Sequence, residues 1–112
     1  MRSLPLSVVE FAFRLPFLAR PAFLADWISE CPSREERRSG LVLVEMREGF
    51  LKWAHLGCPK CGDHIQLPLA GSSRWTVDID FFRRPTFAPS IWERTTCGAH
   101  FFLRKGNIEW CQ

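Results

Sequence analysis

Short apolar runs alternate with tight breaks along the chain. Leu41–Met46 is a nearly continuous apolar run, Phe50–Leu56 is a second, and Arg47-Glu48-Gly49 separates them. That pattern predicts two strands joined by a turn. Ile65–Leu69 and Arg74–Ile79 read as two more, divided by Ala70-Gly-Ser-Ser73. Near the end, Phe101–Arg104 and Ile108–Cys111 flank Gly106-Asn107. Taking that dipeptide as a two-residue turn sets Arg104 opposite Glu109 and Leu103 opposite Trp110. Upstream, Leu6–Phe13 alternates loosely and reads as a strand. Phe23, Leu24, Trp27 and Ile28 share one helical face, so a short helix is expected within Pro21–Cys31. The charged stretch Ser33–Gly40 reads as a loop. The expected fold is β-rich (all-β or α+β), a small single domain of short antiparallel strands. Residues 1–40 form an N-terminal extension, strand plus short helix, that packs on the domain; residues 41–112 form the β-rich body that carries the candidate chemistry.

Composition supports a globular chain: of 112 residues, 46% are hydrophobic and 24% charged, too apolar for a disordered segment. Eight Pro and seven Gly argue against long helices. A formal charge of +3 does not point to nucleic acid without a clustered patch. Arg83-Arg84 beside Phe81-Phe82, with Arg104-Lys105, is such a patch in miniature, and solvated turn charges explain it equally well. No apolar run approaches the roughly 18 residues of a membrane span. Pro5, Glu10, Arg14 and Pro16 interrupt any secretory leader. Five cysteines fit a fully paired secreted domain poorly, so a cytoplasmic location is expected, with neither nucleic acid nor membrane as partner. In that compartment Cys-x-x-Cys more often signals a metal or redox site than a disulfide.

The cysteines carry the most specific pattern. Cys58-Pro-Lys-Cys61-Gly62 is a knuckle whose two thiolates can reach one ion, and Cys97-Gly-Ala-His100 repeats the spacing with an imidazole. Together they make a Cys3His set suited to one closed, structural zinc ion. Cys111 is the rival fourth ligand. His100 is preferred because a local Cys-x-x-His turn needs less ordering, leaving Cys111 a buried spectator.

The stretch from Leu41 to Cys111 resembles the bacterial domain-of-unknown-function family 6527. The matching pieces are Leu-Val-Leu-Val-Glu (41–45), His55-Leu-Gly-Cys58-Pro-Lys-Cys61-Gly62, Leu67-Pro-Leu69, Trp75 and Asp80. Pro89-Ser-Ile-Trp92, Cys97-Gly-Ala-His100-Phe-Phe and Ile108-Glu-Trp110 complete the set. The resemblance implies a zinc-containing serine peptidase of the bacterial cytoplasm that processes or deconjugates a ubiquitin-like protein, cleaving after its C-terminal tail. It further implies E1- and E2-like enzymes as pathway partners and a place in antiphage defence. On the family pattern Ser90 is the nucleophile, His55 the base and Asp80 the acid that orients it. His100 competes as base, in which case Cys111 moves into the zinc shell, and His64 is a third possibility. Gly57, Pro59-Lys60 and Cys111 depart from the family pattern, the first two in the knuckle loop and the third at the candidate ligand. Two other functions remain open: a non-catalytic zinc-ribbon-like interaction module of the same pathway, and a zinc-dependent hydrolase with an open coordination site.

Overall fold

The computed structural model describes residues 2–111. One short helix, α1 (Leu6–Ala12), precedes nine strands: β1 (Leu24–Ile28), β2 (Leu41–Arg47), β3 (Phe50–Gly57), β4 (His64–Pro68), β5 (Thr76–Ile79), β6 (Pro85–Ala88), β7 (Ile91–Trp92), β8 (His100–Arg104) and β9 (Asn107–Trp110). They form a four-stranded sheet in the order β1-β2-β3-β4, a pair β5-β6 and a three-stranded sheet β7-β8-β9. The β-rich expectation therefore holds.

β2 explains the layering. It is buried on both faces, which is why its sequence is continuously apolar rather than alternating. Val42 and Val44 face the main core with Ala54, Leu56, Phe87 and Phe101. Leu41 and Leu43 face the other way, where Val9 of α1 and Leu24 cover them. Phe87 and Phe101 are at most 2% exposed, each burial contributing about 1.5–3 kcal/mol.

The N-terminal passage reverses the expected order. Leu6–Ala12 is helical, because one buried side chain, Val9, is all that its contact requires. Leu24–Ile28 is a strand, because it adds to β2 in parallel with Leu24 opposite Leu41. A short apolar run does not distinguish the two states; the neighbouring β2 edge decides. A parallel pair demands a crossover, and residues 29–40 supply it as a loop. Ser33 and Glu36 cap each other within that loop, at 3.0 and 3.3 Å.

The terminal hairpin also differs in register. Lys105 and Gly106 form the turn, both with positive φ (48° and 78°), and Arg104 pairs with Asn107 and Phe102 with Glu109. Two left-handed residues in succession suit the twist of a tight hairpin. The pairing sets Cys111 beside His100, its N–H bonded to the His100 carbonyl at 2.9 Å. Arg104 still reaches Glu109 diagonally, at 2.6 Å.

Candidate functional site

The alternation of two neighbouring strands builds the first constellation. Ile91 points into the core and is 1% exposed, so Ser90 and Trp92 on either side face outward. On β8, Phe101 and Leu103 are buried, so His100 faces outward with them. Trp92 is directly opposite His100, and the two rings stack with centroids 5.1 Å apart and planes 20° apart. Ser90 is the diagonal neighbour, and its Oγ lies 2.8 Å from His100 Nε2. Trp75 Nε1 donates to the Ser90 carbonyl at 3.3 Å. The guanidinium of Arg94 sits 4.8 Å from the Trp92 ring. With the His100 proton on Nδ1, the Ser90 hydroxyl donates to Nε2, the arrangement a general base requires. A hollow of about 620 Å³ opens at this point, lined by His100, Trp92, Trp110, Gly98, Cys111 and Lys60.

The structure does not join Ser90 to His55. His55 is 1% exposed and both its ring nitrogens are engaged: Nε2 with Glu45 Oε1 at 3.1 Å and Nδ1 with His64 Nε2 at 3.0 Å. The cause is register. Leu43 pairs with His55 and His64 with Gly57, so Glu45, His55 and His64 are successive diagonal neighbours on one face of β2, β3 and β4. Asp80 is likewise committed elsewhere. It closes the β5–β6 turn, accepting from the backbone N–H groups of Phe82 and Arg84 and pairing with the Arg84 guanidinium at 2.6 Å. Among the described residues no carboxylate pairs with His100, so stacking on Trp92, not a third acid, fixes its ring.

Cys58, Cys61 and Cys97 come together, their sulfurs all within 4.8 Å of one another, with 3.5 Å between Cys58 and Cys97. Gly62, at φ 82°, turns the chain back so that its N–H reaches the Cys58 carbonyl at 2.9 Å. The Cys61 thiol is favoured as thiolate by the Asp63 backbone, yet the sulfurs of Cys97 and Cys58, together with burial, push it up to about 11. The Cys97 thiol is held below its ordinary value, first by the Ala99 backbone. Charge on one sulfur thus opposes charge on the next, which a bound cation would relieve. The three can hold a metal ion, and thiolates without carboxylates form a soft donor set. Neither His100 nor Cys111 belongs to that close group.

The small basic patch of the sequence is tied down internally. Arg83 bonds to the carbonyls of Leu4 and Ala25 and to Asp26, and Arg84 is held by Asp80. No helix among the described residues is long and apolar enough to cross a membrane.

Sequence reading leaves His100 as the competitor of His55 beside Ser90 and does not decide between them, because β7 is only two residues long. The signal was present as Ser-Ile-Trp and His-Phe-Phe-Leu, two alternating patterns whose outward positions carry Ser90, Trp92 and His100. The Glu45–His55–His64 chain was missed too; its signal was a carboxylate and an imidazole at otherwise apolar strand positions.

The family model described as bacterial ubiquitination-like system serine protease (BubE) matches residues 28–111, in keeping with the resemblance read from the sequence. No curated protein and no solved structure gives a match.

Proposed function

The chain belongs to the family of bacterial ubiquitination-like system serine proteases, and from that premise we propose that it hydrolyses the bond after the C-terminal tail of a ubiquitin-like protein, with Ser90 as nucleophile and His100 as base. The observation that carries this reading is the 2.8 Å contact between Ser90 Oγ and His100 Nε2 at an open hollow. Ser90 Oγ attacks the tail carbonyl carbon while its proton passes to Nε2. The tetrahedral adduct collapses, His100 returns that proton to the leaving nitrogen or oxygen, and an ester to Ser90 remains. Water, deprotonated by the same Nε2, then releases the tail carboxylate and restores the serine. Trp92 and Trp110 flank the hollow, and such walls suit an extended tail of small residues.

We assign Cys58, Cys61 and Cys97 to one zinc ion, which would fix the knuckle beside the reacting pair. Cys111 is our choice for the fourth ligand. A metal on His100 Nδ1 would leave the proton on Nε2, and Nε2 could not then accept one from Ser90. Base and ligand are exclusive duties for this imidazole. Asp80 and His55, the acid and base implied by the sequence resemblance, take structural duties in this reading.

The test is cleavage of a cognate ubiquitin-like protein fused through its tail. Ser90→Ala and His100→Ala should each cost on the order of 10⁴-fold or more in rate, with fold retained. Asp80→Asn should cost little. Normal cleavage by Ser90→Ala would refute the serine mechanism and favour a zinc-dependent hydrolase. Tight partner binding without cleavage by the unmodified chain would favour the interaction module.

A further inference from the structure

A second, larger cleft of about 790 Å³ lies on the other side of the knuckle. The crossover loop between β1 and β2 forms one wall, contributing Arg34, Arg37 and Arg38; His55, His64 and the knuckle residue Pro59 line the other. We propose that this cleft binds the carboxylates of an acidic peptide segment of the protein substrate, through Arg34, Arg37 and His64. The identification of the occupant as a peptide rests on the protease reading; the anion site itself does not.

Charge comes first. Arg38 is paired with Glu10 at 3.3 Å, whereas Arg34 and Arg37 have no acidic partner among the described residues. Glu36, between them in sequence, is occupied by Ser33. Asp63 is the acid that lines the cleft, so cations outnumber it.

The buried chain behind His64 gives the second, independent argument. Glu45 is 1% exposed and is a carboxylate held by Arg47 at 2.6 Å. An acceptor there obliges His55 Nε2 to carry a proton. In neutral His55 the other nitrogen, Nδ1, is then an acceptor, so His64 Nε2 must donate to it. His64 Nδ1 is left as the ring atom without a partner among the described residues. When it gains a proton it donates to an incoming oxyanion without disturbing the bond to His55, and the oxyanion itself balances the new charge. A buried acid–imidazole pair is costly to desolvate, and such pairs cluster at functional sites. Burial, Arg37 and His55, in that order, hold His64 below its ordinary value, and a carboxylate beside it would oppose that shift.

Position links this cleft to Ser90. The knuckle walls both hollows, with Pro59 and Gly62 on this side and Lys60 on the side of His100. A peptide that crosses the knuckle therefore meets both hollows. Nucleic acid fits less well. Phe23 is 5% exposed, and one face of the His64 ring is already stacked on His55, which leaves little ring surface for bases to stack on.

The probe is a fluorescein-labelled hexaglutamate peptide, with hexaglutamine as the uncharged control. The unmodified chain should bind the first and not the second. Arg34→Gln with Arg37→Gln should weaken hexaglutamate binding about tenfold or more, and His64→Gln should weaken it less. The arginine variant should keep the Ser90-dependent hydrolysis of a small active ester. Equal hexaglutamate binding by the unmodified chain and the arginine variant overturns the proposal. So does tighter arginine-dependent binding of oligothymidylate than of hexaglutamate. Arginine-dependent peptide binding in a chain that shows no Ser90-dependent hydrolysis upholds the cleft and removes the protease reading instead.

Discussion

Trp92 and His100 face each other across β7 and β8, their rings stacked 5.1 Å apart, and under the proposed mechanism this stacking would orient His100 as an acid does in a triad. Stacking fixes the plane of the imidazole without fixing its proton. Aromatic pairs contribute about 0.5–1.5 kcal/mol beyond burial, so Trp92→Ala should lower kcat by up to about tenfold. Trp92→Phe should restore most of it. A split of kcat from KM separates positioning from mere loss of packing: the alanine variant should lower kcat with KM and zinc content nearly unchanged, and the phenylalanine variant should change neither kcat nor KM much.

One zinc per chain is expected in elemental analysis of the purified protein. Cys58→Ala, Cys61→Ala and Cys97→Ala should each lose it and most of the folded signal, because metal binding and folding are coupled in small domains. Cys111→Ala should weaken zinc retention against a chelator. His100→Ala should keep full zinc while losing cleavage. The reverse outcome for the last two would return His100 to the metal shell.

Glu45 and His55 form a buried pair whose two members are each engaged on both sides. Cutting this carboxylate–imidazole hydrogen bond from one side leaves a buried polar group unsatisfied, at about 1–3 kcal/mol or more. Glu45→Leu should therefore destabilise strongly, and the double variant Glu45→Leu with His55→Leu less than the sum of the two singles. Urea unfolding of the four chains measures the coupling.

His64 lies below its ordinary value in the folded chain. Its depressed value means that the unfolded chain takes up a proton first as pH falls. Stability owed to this group is fully present above the ordinary histidine value, about 6.5, and is lost as pH drops through the folded value. His64→Gln should flatten that acid limb in urea unfolding between neutral and mildly acidic pH.

The strands from Leu41 to Leu69 were legible, because β2 opens on an unbroken Leu-Val-Leu-Val and tight turns bound the strands that follow. The cysteine knuckle was legible for a different reason: ligand spacing is local, and two intervening residues bring two sulfurs together whatever the fold. The imidazole beside Ser90 was not. His55 and His100 are equivalent in composition, and only the pairing of Ile91 with Phe101 decides which of them meets the hydroxyl. The same holds upstream. Leu24–Ile28 shows helical spacing, yet the unsatisfied edge of β2 offers it a ladder of backbone bonds that no isolated reading of five residues reveals.

The family match begins at Ile28, the last residue of β1, while the fold begins well before it. Phe23 donates to the Gly106 carbonyl at 2.8 Å, and Gly106 donates to the Pro85 carbonyl at the same distance. A Cβ at Gly106 would run into the Phe23 carbonyl oxygen and the Pro21 ring. A truncation drawn at the family boundary would strip β1 from β2 and uncover Leu-Val-Leu-Val, an apolar strand with open backbone groups along one side. Such an edge recruits further copies. The matched segment alone should therefore precipitate or form fibrils where the whole chain stays dispersed, which would make the passage before Ile28 a built-in guard against self-association.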